Sequence, residues 1–450
     1  MHIKEQITIS KKEYERLLSL EGLVLQLQEE IRLLKNGKKS STSHTSPSHD
    51  IGRSNSITLR EKTDKKSGGQ PGHEGSTLQM TDTPDEIVDY RSVFCTVCSV
   101  LLNSENSVLS EHKQEIVIPP IKPVYIEHRA YTTNCLSCGH NNITVLPSHL
   151  KAPIQYGTSV SSTIAYLFAY QYLPYNRIKI MLRDLFHISL SEGTIDNILA
   201  KTTERAMPMY DEIKARIQQS AVVGGDETGT KINGKKAWFH VWQNNKLTFI
   251  VAAMTRGYKT TETYFEKGFL KAVYVSDCWS AQLKTPAKKH QLCLAHLLRE
   301  LTNFEEALNC KWSVELKVLL KKSIALKQKL QAIDYLNAPL LIKELEQEFK
   351  KLLEVDTSHF HRKTKAFVKR LIKNQESVFT FLNYAEVPYD NNGSERAIRN
   401  VKVKNKISGS FRSEHGAYRF AILRSVIDTT IKNSQDVFST LNLVAKFVPE

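Results

Sequence analysis

AVVGGDETGTKINGKKAWFHVWQNNKLTFIVAAMT, which occupies residues 221–255, contains three apolar runs of the length of β-strands. Asn233-Gly234 and Asn244-Asn245 separate the runs, and both pairs are typical of the tight turns that join antiparallel strands. A short segment with helical character, TETYFEKGFL, leads to a fourth run, AVYVSD, at residues 272–277. The stretch therefore predicts three meandering strands, a helix and a returning strand.

This order of elements fits an α/β catalytic domain of the ribonuclease H-like type. In that fold the first and fourth strands lie side by side, so Asp226 on the first strand and Asp277 at the end of the fourth should be neighbours. Residues 290–385 are rich in Lys, Glu and Leu and are predicted to form a helical insertion. A third acid, Glu395, then opens another helix, SERAIRNVKV.

Each of the three acids also has a purely structural explanation. Asp226 could form a turn, with Glu227 beside it pointing to the opposite face of the strand. Asp277 could cap the following helix, and Asn392-x-x-Glu395 matches a capping box. Three carboxylates on a strand, a strand end and a helix nevertheless form a set that is suited to divalent metal ions and DNA phosphates.

The charge of the chain favours a polyanionic partner. Lys and Arg number 62 and Asp and Glu 47, which gives a formal net charge of +15 over 450 residues. Nucleic acid is the first expectation and an anionic membrane surface the second. No apolar run reaches the length of a membrane span, and the N-terminus lacks the apolar stretch of a signal peptide. We expect a cytoplasmic, nucleoid-associated protein of roughly two to four domains, without a membrane partner.

The cysteines predict a structural metal site. Four of the seven form two CxxC pairs, Cys95 with Cys98 and Cys135 with Cys138. Two such pairs on hairpins can supply four thiolates to one tetrahedral Zn²⁺ ion, and His140 is a possible substitute ligand. The alternative is a set of reduced, metal-free cysteines, since disulfides are rare in a reducing compartment.

The N-terminal region is predicted to be a helix followed by a basic linker. From Leu17 onward the apolar residues have heptad spacing: Leu20, Val24, Leu27, Ile31 and Leu34. This spacing is typical of a short coiled coil that joins two protomers, or of a single amphipathic helix packed on its own chain. Residues 36–67 are a predicted flexible basic linker, which ends at the turn-rich GGQPGHEG of residues 68–75.

Residues 157–217 are predicted to be helical. SVSSTIAYLFAYQYL forms one helix, Pro174 opens a second, and Ser191 can cap a third. The second and third helices, joined by HISLS, resemble a helix-turn-helix that could bind a major groove. The alternative is a helical support for the catalytic domain.

A basic cluster follows the third acid. It predicts a surface that grips DNA phosphates close to the acids, with a solvated helix face as the alternative. The residues assigned to DNA binding are Arg396, Arg399, Lys402, Lys404, Lys406 and Arg412, and Arg419 and Arg424 extend the cluster.

Two further features carry open assignments. Trp279, just after Asp277, could stack on a base or fill the core, and the core is the expected place. Cys293 and His296 lie one helical turn apart. They could belong to a second metal site, with Cys278, His290 and Cys310 as the other candidates, or form a buried structural pair, which we expect.

Several motifs together resemble a known family. GGDETGTKINGKKAWFHVW, VSDCWSA, QLCLAHLLREL with its CxAH segment, and DNNGSERAIRNVKVKNKISGSFRS are similar to the catalytic region of the insertion sequence 66 family of bacterial DDE transposases. GGQPGHEG and the cysteine pairs resemble the family's N-terminal part. The likeness extends from about Ser67 to Asp428. Tyr389 departs from the proline or phenylalanine expected there, without touching the acids.

The resemblance implies a function and a mechanism. Asp226, Asp277 and Glu395 would be the catalytic, metal-binding triad, with Asp226 bridging two Mg²⁺ (or Mn²⁺) ions and the other acids each holding one. Water would nick the transposon end, and the freed 3′-OH would attack target DNA. We expect no other cofactor than these ions and structural Zn²⁺. The expected partners are transposon-end and target DNA, further copies of the chain, and possible helper proteins encoded by the same element.

Two rival functions use the same residues differently: a nuclease or resolvase without strand transfer, and a DNA-binding regulator with a vestigial catalytic fold. The predicted segments are a coiled-coil helix (1–36), a basic linker (37–75), a zinc-binding module (76–150), a helical DNA-binding domain (151–219), the catalytic domain (220–430) with its insertion at about 290–385, and a C-terminal tail (431–450).

Overall fold

The structure is a computed structural model, which describes residues 10–35, 72, 75, 77–330, 335 and 339–447. Most of the predicted linker and GGQPGHEG lie outside these residues. Helix α1 (Lys11–Lys35) confirms the predicted N-terminal helix. Among the described residues, no helix is both long and apolar enough to cross a membrane.

The segment between residues 77 and 156 is almost entirely exposed. It contains one two-stranded antiparallel sheet, β1 (Thr132–Asn134) with β2 (Asn141–Ile143), and a short 3₁₀ turn at Ser104–Asn106. Large apolar side chains such as Tyr90, Val97 and Leu136 lie in solvent, each at least 92% exposed. A segment that buries so little apolar surface lacks the main driving force for folding alone.

Three helices confirm the predicted helical region: α2 (Thr158–Ala165), which continues as a π-helical turn at Tyr166–Tyr170, α3 (Tyr175–Phe186) and α4 (Glu192–Gln218). Ser191 caps α4 as predicted, since its hydroxyl accepts a hydrogen bond from the Thr194 amide at 3.0 Å.

The central sheet has five strands in the order β5-β4-β3-β6-β7. Its strands are β3 (Val222–Ile232), β4 (Lys235–Gln243), β5 (Thr248–Ala253), β6 (Phe269–Ser276) and β7 (Ala287–Leu292), with helix α5 (Tyr258–Tyr264) before β6. The first three strands are antiparallel, whereas β6 is parallel to both β3 and β7. The predicted meander, helix and returning strand are confirmed, including the adjacency of the first and fourth strands.

The hairpin between β3 and β4 shows why the sequence determined this register. Asn233 and Gly234 have positive φ angles of 48° and 72°, which a two-residue turn of this kind requires. Asparagine and glycine adopt that conformation at little cost. Nine consecutive residue pairs then follow the turn, from Ile232 opposite Lys235 to Gly224 opposite Gln243.

The sheet lies between two hydrophobic cores, and the alternation along β6 makes this visible. Ala272 and Tyr274 belong to one core, together with the sheet strands and helices α2 to α4. Val273 and Val275 belong to the other. Because successive residues of a strand point to opposite faces, β6 is covered on both sides.

The remaining helices are α6 (Ser280–Leu283), α7 (Leu294–Leu308), α8 (Lys311–Lys329), α9 (Pro339–Leu353), α10 (Arg362–Lys373), α11 (Asn392–Ser408), α12 (Glu414–Lys432) and α13 (Val437–Lys446), with 3₁₀ turns at Gln375–Ser377 and Thr380–Asn383. Helices α7 to α10 pack on the second core. They correspond to the predicted insertion, except that residues 287–292 form an edge strand and not a helix.

Two predicted boundaries differ from the packing. Residues 151–219 do not form a core of their own, because α4 packs on α12 and the Tyr210 hydroxyl donates to the Ile250 carbonyl of β5 at 2.8 Å. The predicted C-terminal tail also belongs to this core. Leu441 of α13 is fully buried, and the Ser162 hydroxyl donates to Asn442 Oδ1 at 2.7 Å.

Candidate active site

Three elements carry the three predicted acids to one end of the sheet. Asp226 lies inside β3, and Asp277 directly follows β6. Val222 to Gly224 pair in parallel with Val273 to Val275, and the same register places Asp226 level with Asp277, just beyond the paired residues. Glu395 lies in the first turn of α11, which packs on β3 and β4.

Side-chain hydrogen bonds, and a glycine that permits close approach, hold the start of α11 against β3. Asn391 Nδ2 donates to the Gly225 carbonyl at 2.7 Å, and the Ser394 hydroxyl donates to Asn391 Oδ1 at 2.7 Å. A β-carbon at Gly224 would lie 2.5 Å from Gln243 Nε2 and 2.7 Å from Asn391 Oδ1. Gly224, two residues before Asp226, and the DNNGSE segment therefore form one contact, which sets the position of Glu395.

The acids lie within one electrostatic field. Burial raises the pKa of Asp226 well above its usual range, and repulsion from Asp277, Glu227 and Glu395 raises it further. Lys402 of α11 is half-buried near the same acids. Desolvation lowers the pKa of Lys402, while the charges of Asp226 and Glu395 act in the opposite direction. A buried cluster of negative charge of this kind favours a bound cation.

The carboxylate of Glu395 binds side chains of α7. Arg299 donates to it through Nη1 at 3.1 Å and Nη2 at 3.4 Å, and His296 Nε2 lies 3.6 Å from Oε1. The alternative capping-box role of Glu395 is therefore wrong. Asn391 is the N-cap residue, and no side chain caps the helix. Nothing in the sequence indicated Arg299 as a partner of the third acid.

Cys293, the N-cap residue of α7, contacts both β6 and the start of α11. It is 1% exposed, its amide donates to the Ser276 carbonyl at 2.8 Å, and its Sγ accepts from the Asn391 amide at 3.2 Å. Burial raises the pKa of this thiol far above its usual range. A neutral, buried thiol that holds backbone groups on both sides agrees with the expected structural role of Cys293.

Glu227 is a fourth acid at the site. Its side chain is 3% exposed and binds Arg256 at 2.8 Å, while Gln282 Nε2 donates to its other oxygen at 2.5 Å. Burial first, and then the charge of Asp277, raises the pKa of Glu227. The position of Glu227 beside Asp226 in GGDET is a sequence signal for this role. The alternation of strand faces, however, predicts that the two side chains point away from each other.

Most of the predicted basic cluster is accessible, with one correction. Arg396, Arg399, Lys406 and Arg412 are exposed. Lys404, however, is 3% exposed: its Nζ donates to the carbonyls of Leu173 and Tyr172 at 3.0 and 3.2 Å and lies 4.2 Å from the centroid of the Phe168 ring. Its assignment to DNA binding is wrong, because the α11 face that carries it packs against the turn after α2.

The outer members of the cluster form ion pairs. Arg419 pairs with Asp196, and Arg424, which is 3% exposed, pairs with Asp428. They support packing between α12 and its neighbours and offer little charge to a DNA molecule.

The two CxxC pairs form knuckles of the same geometry. The Cys95 amide donates to the Val100 carbonyl at 2.9 Å, and the Cys135 amide donates to the His140 carbonyl at 2.8 Å. Both turns contain a residue with positive φ, Ser99 at 57° and Gly139 at 70°. In each knuckle, backbone hydrogen bonds lower the pKa of the first thiol, with the amide of the second cysteine contributing most.

These sites fit metal ions by donor chemistry. Mutually repelling carboxylates suit hard cations, and thiols with lowered pKa values suit zinc. Within the described part of the chain, however, no three His, Cys, Asp or Glu side chains are gathered into a group that could hold a metal ion. The second metal site considered for Cys278, His290, Cys293, His296 and Cys310 is likewise not formed among these residues.

Comparison with known proteins identifies the family. The model of the IS66 family of transposases matches residues 153–419, which is more than half of the chain. The match includes β3, β6 and α11, and therefore all three acids. No curated protein matches the chain. The chain belongs to the IS66 transposase family.

Proposed function

We propose that this member of the IS66 transposase family cuts the ends of a mobile element and joins the freed 3′-OH to target DNA. Asp226, Asp277 and Glu395 would form the catalytic triad. The observation that carries this proposal is the packing of β3, β6 and the start of α11 against one another, which brings the three acids to one place. Family membership gives DNA as the substrate class.

The strand order supports a ribonuclease H-like catalytic domain. Three antiparallel strands are followed by two parallel ones, with β3 in the centre beside β6. Helices α7 to α10 would be the insertion between the second and third acid. Helices α2 to α4 and α13 share the core of this domain and would support it, with α3 and α4 as candidates for contact with DNA.

The acids would hold the metal ions, and other side chains would control their access. Mg²⁺ or Mn²⁺, when bound, would activate the attacking oxygen and stabilise the leaving one. Arg299 now compensates the charge of Glu395, and His296 Nε2 lies next to the same carboxylate. Lys402 lies beside Asp226 and Glu395, where its charge could orient a phosphate. Arg396, Arg399, Lys406 and Arg412 would hold the DNA backbone further out.

The reaction requires two in-line displacements. In the first, a water oxygen bonds to the phosphorus at the element's end, and the bond from phosphorus to the 3′ oxygen breaks. In the second, that 3′ oxygen bonds to a target phosphorus and releases the target's own 3′-OH. No redox step or further cofactor is needed.

The N-terminal segments would serve assembly and recognition. Helix α1 exposes Leu17, Leu20 and Val24, each about half accessible, which suits pairing with a second copy in a coiled coil. The exposed segment after it would contact the element's ends. Nuclease-like or regulatory function remains the alternative, since the same fold serves both.

Zinc would stabilise the exposed segment. The two knuckles would contribute Cys95, Cys98, Cys135 and Cys138 to one Zn²⁺ ion. In a segment without a hydrophobic core, metal binding would supply the free energy that stabilises the fold. Elemental analysis should find one zinc per chain in protein purified without chelators, and Cys135→Ser should lose it. A Cys135→Ser protein that keeps full zinc would contradict this ligand set.

The triad is tested by charge-neutral variants. Asp226→Asn, Asp277→Asn and Glu395→Gln should each abolish Mg²⁺-dependent cleavage of DNA that carries the element's ends, with DNA binding retained. Glu414→Gln is the matched control, because Glu414 also lies in the first turn of a helix but is exposed. Retained cleavage in any triad variant would remove that residue from the active site.

The same assay separates the alternatives. A transposase yields products in which the element's 3′ end is joined to target DNA. Cleavage without joining would indicate a nuclease or resolvase. Specific binding by the wild type without any cleavage would indicate a regulator.

A further inference from the structure

Trp279 is exposed beside the second acid. The sequence placed it in the core, but its side chain is 37% exposed. Its backbone is fixed on both sides: the Trp279 amide donates to Asp277 Oδ1 at 2.9 Å, and its carbonyl accepts from the amides of Gln282 and Leu283 at 3.0 and 3.1 Å. A large aromatic ring is therefore held at the rim of the site without being needed as core.

Arg256 stacks on one face of the ring. The guanidinium carbon of Arg256 lies 4.1 Å from the centroid of Trp279, a distance at which the cation stacks on the ring. Arg256 is positioned by the buried Glu227 carboxylate, which Gln282 also binds. Three elements thus support one flat, positively charged surface: β3 through Glu227, the β5–α5 loop through Arg256, and α6 through Gln282.

We propose that Trp279 and Arg256 form a stacking platform for an unpaired nucleobase next to the reacting phosphodiester. The inference rests on the proposed function, since it assumes that Asp277 marks the position of the phosphate. Aromatic rings bind any base through its π-face, so the platform would act independently of sequence. A base freed from the duplex at the element's end or at the target would be held there.

The geometry favours this role over a structural one. The loop is already held by Asp277 and by the start of α6, so the Trp279 ring is not needed to fix its backbone. Arg256 also keeps part of its side chain accessible, at 44%. This positive charge lies near the phosphates that the acids would address.

The test compares unpaired with paired DNA. Two oligonucleotide duplexes of equal length would be used in buffer without added Mg²⁺ or Mn²⁺: one fully paired, the other with a mismatched terminal segment that contains 2-aminopurine. Trp279→Ala should weaken binding of the mismatched duplex by about 5- to 100-fold, the usual effect of one lost stacking contact, and binding of the paired duplex by less than about 2-fold. Stacking on Trp279 should also quench the 2-aminopurine fluorescence.

Control variants separate stacking from folding. Trp279→Phe keeps a π-face and should retain most of the preference for unpaired DNA. Trp238→Ala is the matched control. Trp238 is also partly exposed and has a cation, Lys236 Nζ, 5.4 Å from its ring, but it belongs to β4 and not to the loop after β6. It should bind both duplexes like the wild type. Melting temperatures would show that each variant is folded.

The outcomes are distinguishable. If Trp279→Ala binds both duplexes like the wild type, the platform is overturned, while the proposed function stands. If Trp279→Ala and Trp279→Phe lose paired and unpaired DNA equally, Trp279 is structural and the inference is also overturned. If the wild type binds neither duplex, both the proposed function and the stacking platform are overturned.

Discussion

Gly224→Ala should separate the docking of α11 from the chemistry of the acids. The added β-carbon would lie 2.5 Å from Gln243 Nε2, 2.7 Å from Asn391 Oδ1 and 3.0 Å from Ser394 Oγ. These atoms cannot simply withdraw, because Asn391 and Ser394 are buried and bind each other and the β3 backbone. The start of α11 must therefore move away from β3, and Glu395 moves with it.

The expected cost is substantial for a single methyl group. Overpacking of a close contact costs about 1–3 kcal/mol, and loss of one buried hydrogen bond a further 1–3 kcal/mol, roughly 2–6 kcal/mol together. For a domain of this size that corresponds to a fall of about 4–24 °C in melting temperature. The rate of cleavage should fall by about 100-fold, because a displacement of about 1 Å at the reacting groups can have an effect of that size.

Gly229→Ala is the control in the same strand. Gly229 is exposed, and a β-carbon added there would have no other atom within 4 Å. Thermal unfolding and Mg²⁺-dependent cleavage would be measured for both variants. Gly229→Ala should melt like the wild type or slightly higher, by about 0.4–1 kcal/mol. If Gly224→Ala melts and cleaves like Gly229→Ala, the proposed reason for GGDET is refuted.

Two further predictions concern the lysines of α11. Burial lowers the pKa of Lys404 to about 7, whereas a lysine in the unfolded chain has a pKa of ~10.4. Between these two pH values the unfolded chain binds more protons than the folded chain. The free energy of unfolding therefore rises with pH in this range. Lys404→Met should therefore flatten the rise in melting temperature between about pH 7 and 10; an unchanged slope would contradict the burial of this amine. Neutralising Lys402 and Lys406 together should weaken binding to all DNA sequences alike and lower the salt dependence by about two phosphate contacts, whereas a selective loss of end recognition would show that they read sequence.

The sequence was sufficient for the fold around the acids because local signals agreed there. Asn233-Gly234 determines a tight hairpin, and the apolar runs have strand length and period. The edge strand β7 was missed, because AKKHQL is polar and its two lysines are exposed, as is common at sheet edges. An edge strand is stabilised by its neighbour, which no local pattern reveals.

The three candidate acids stand out in the sequence, but the side chains around them do not. Asp226, Asp277 and Glu395 lie in short, recognisable contexts. Arg299 and Arg256 reach the site from distant parts of the chain, so only the tertiary structure pairs them with carboxylates. Lys404 shows the converse: residues on a basic helix look alike in sequence, and packing alone decides which are buried.

The most direct test of the central claim is the effect of divalent ions on thermal stability. Burial and the neighbouring acids penalise the ionised form of Asp226 at neutral pH, so Asp226→Asn should melt higher than the wild type without metal. Mg²⁺ or Mn²⁺ should then raise the melting temperature of the wild type and leave that of Asp226→Asn unchanged. At a metal concentration of 100 times the dissociation constant, the wild type should gain about 2.7 kcal/mol in free energy of unfolding. An equal metal-induced rise in both proteins would contradict a metal site built on these three acids.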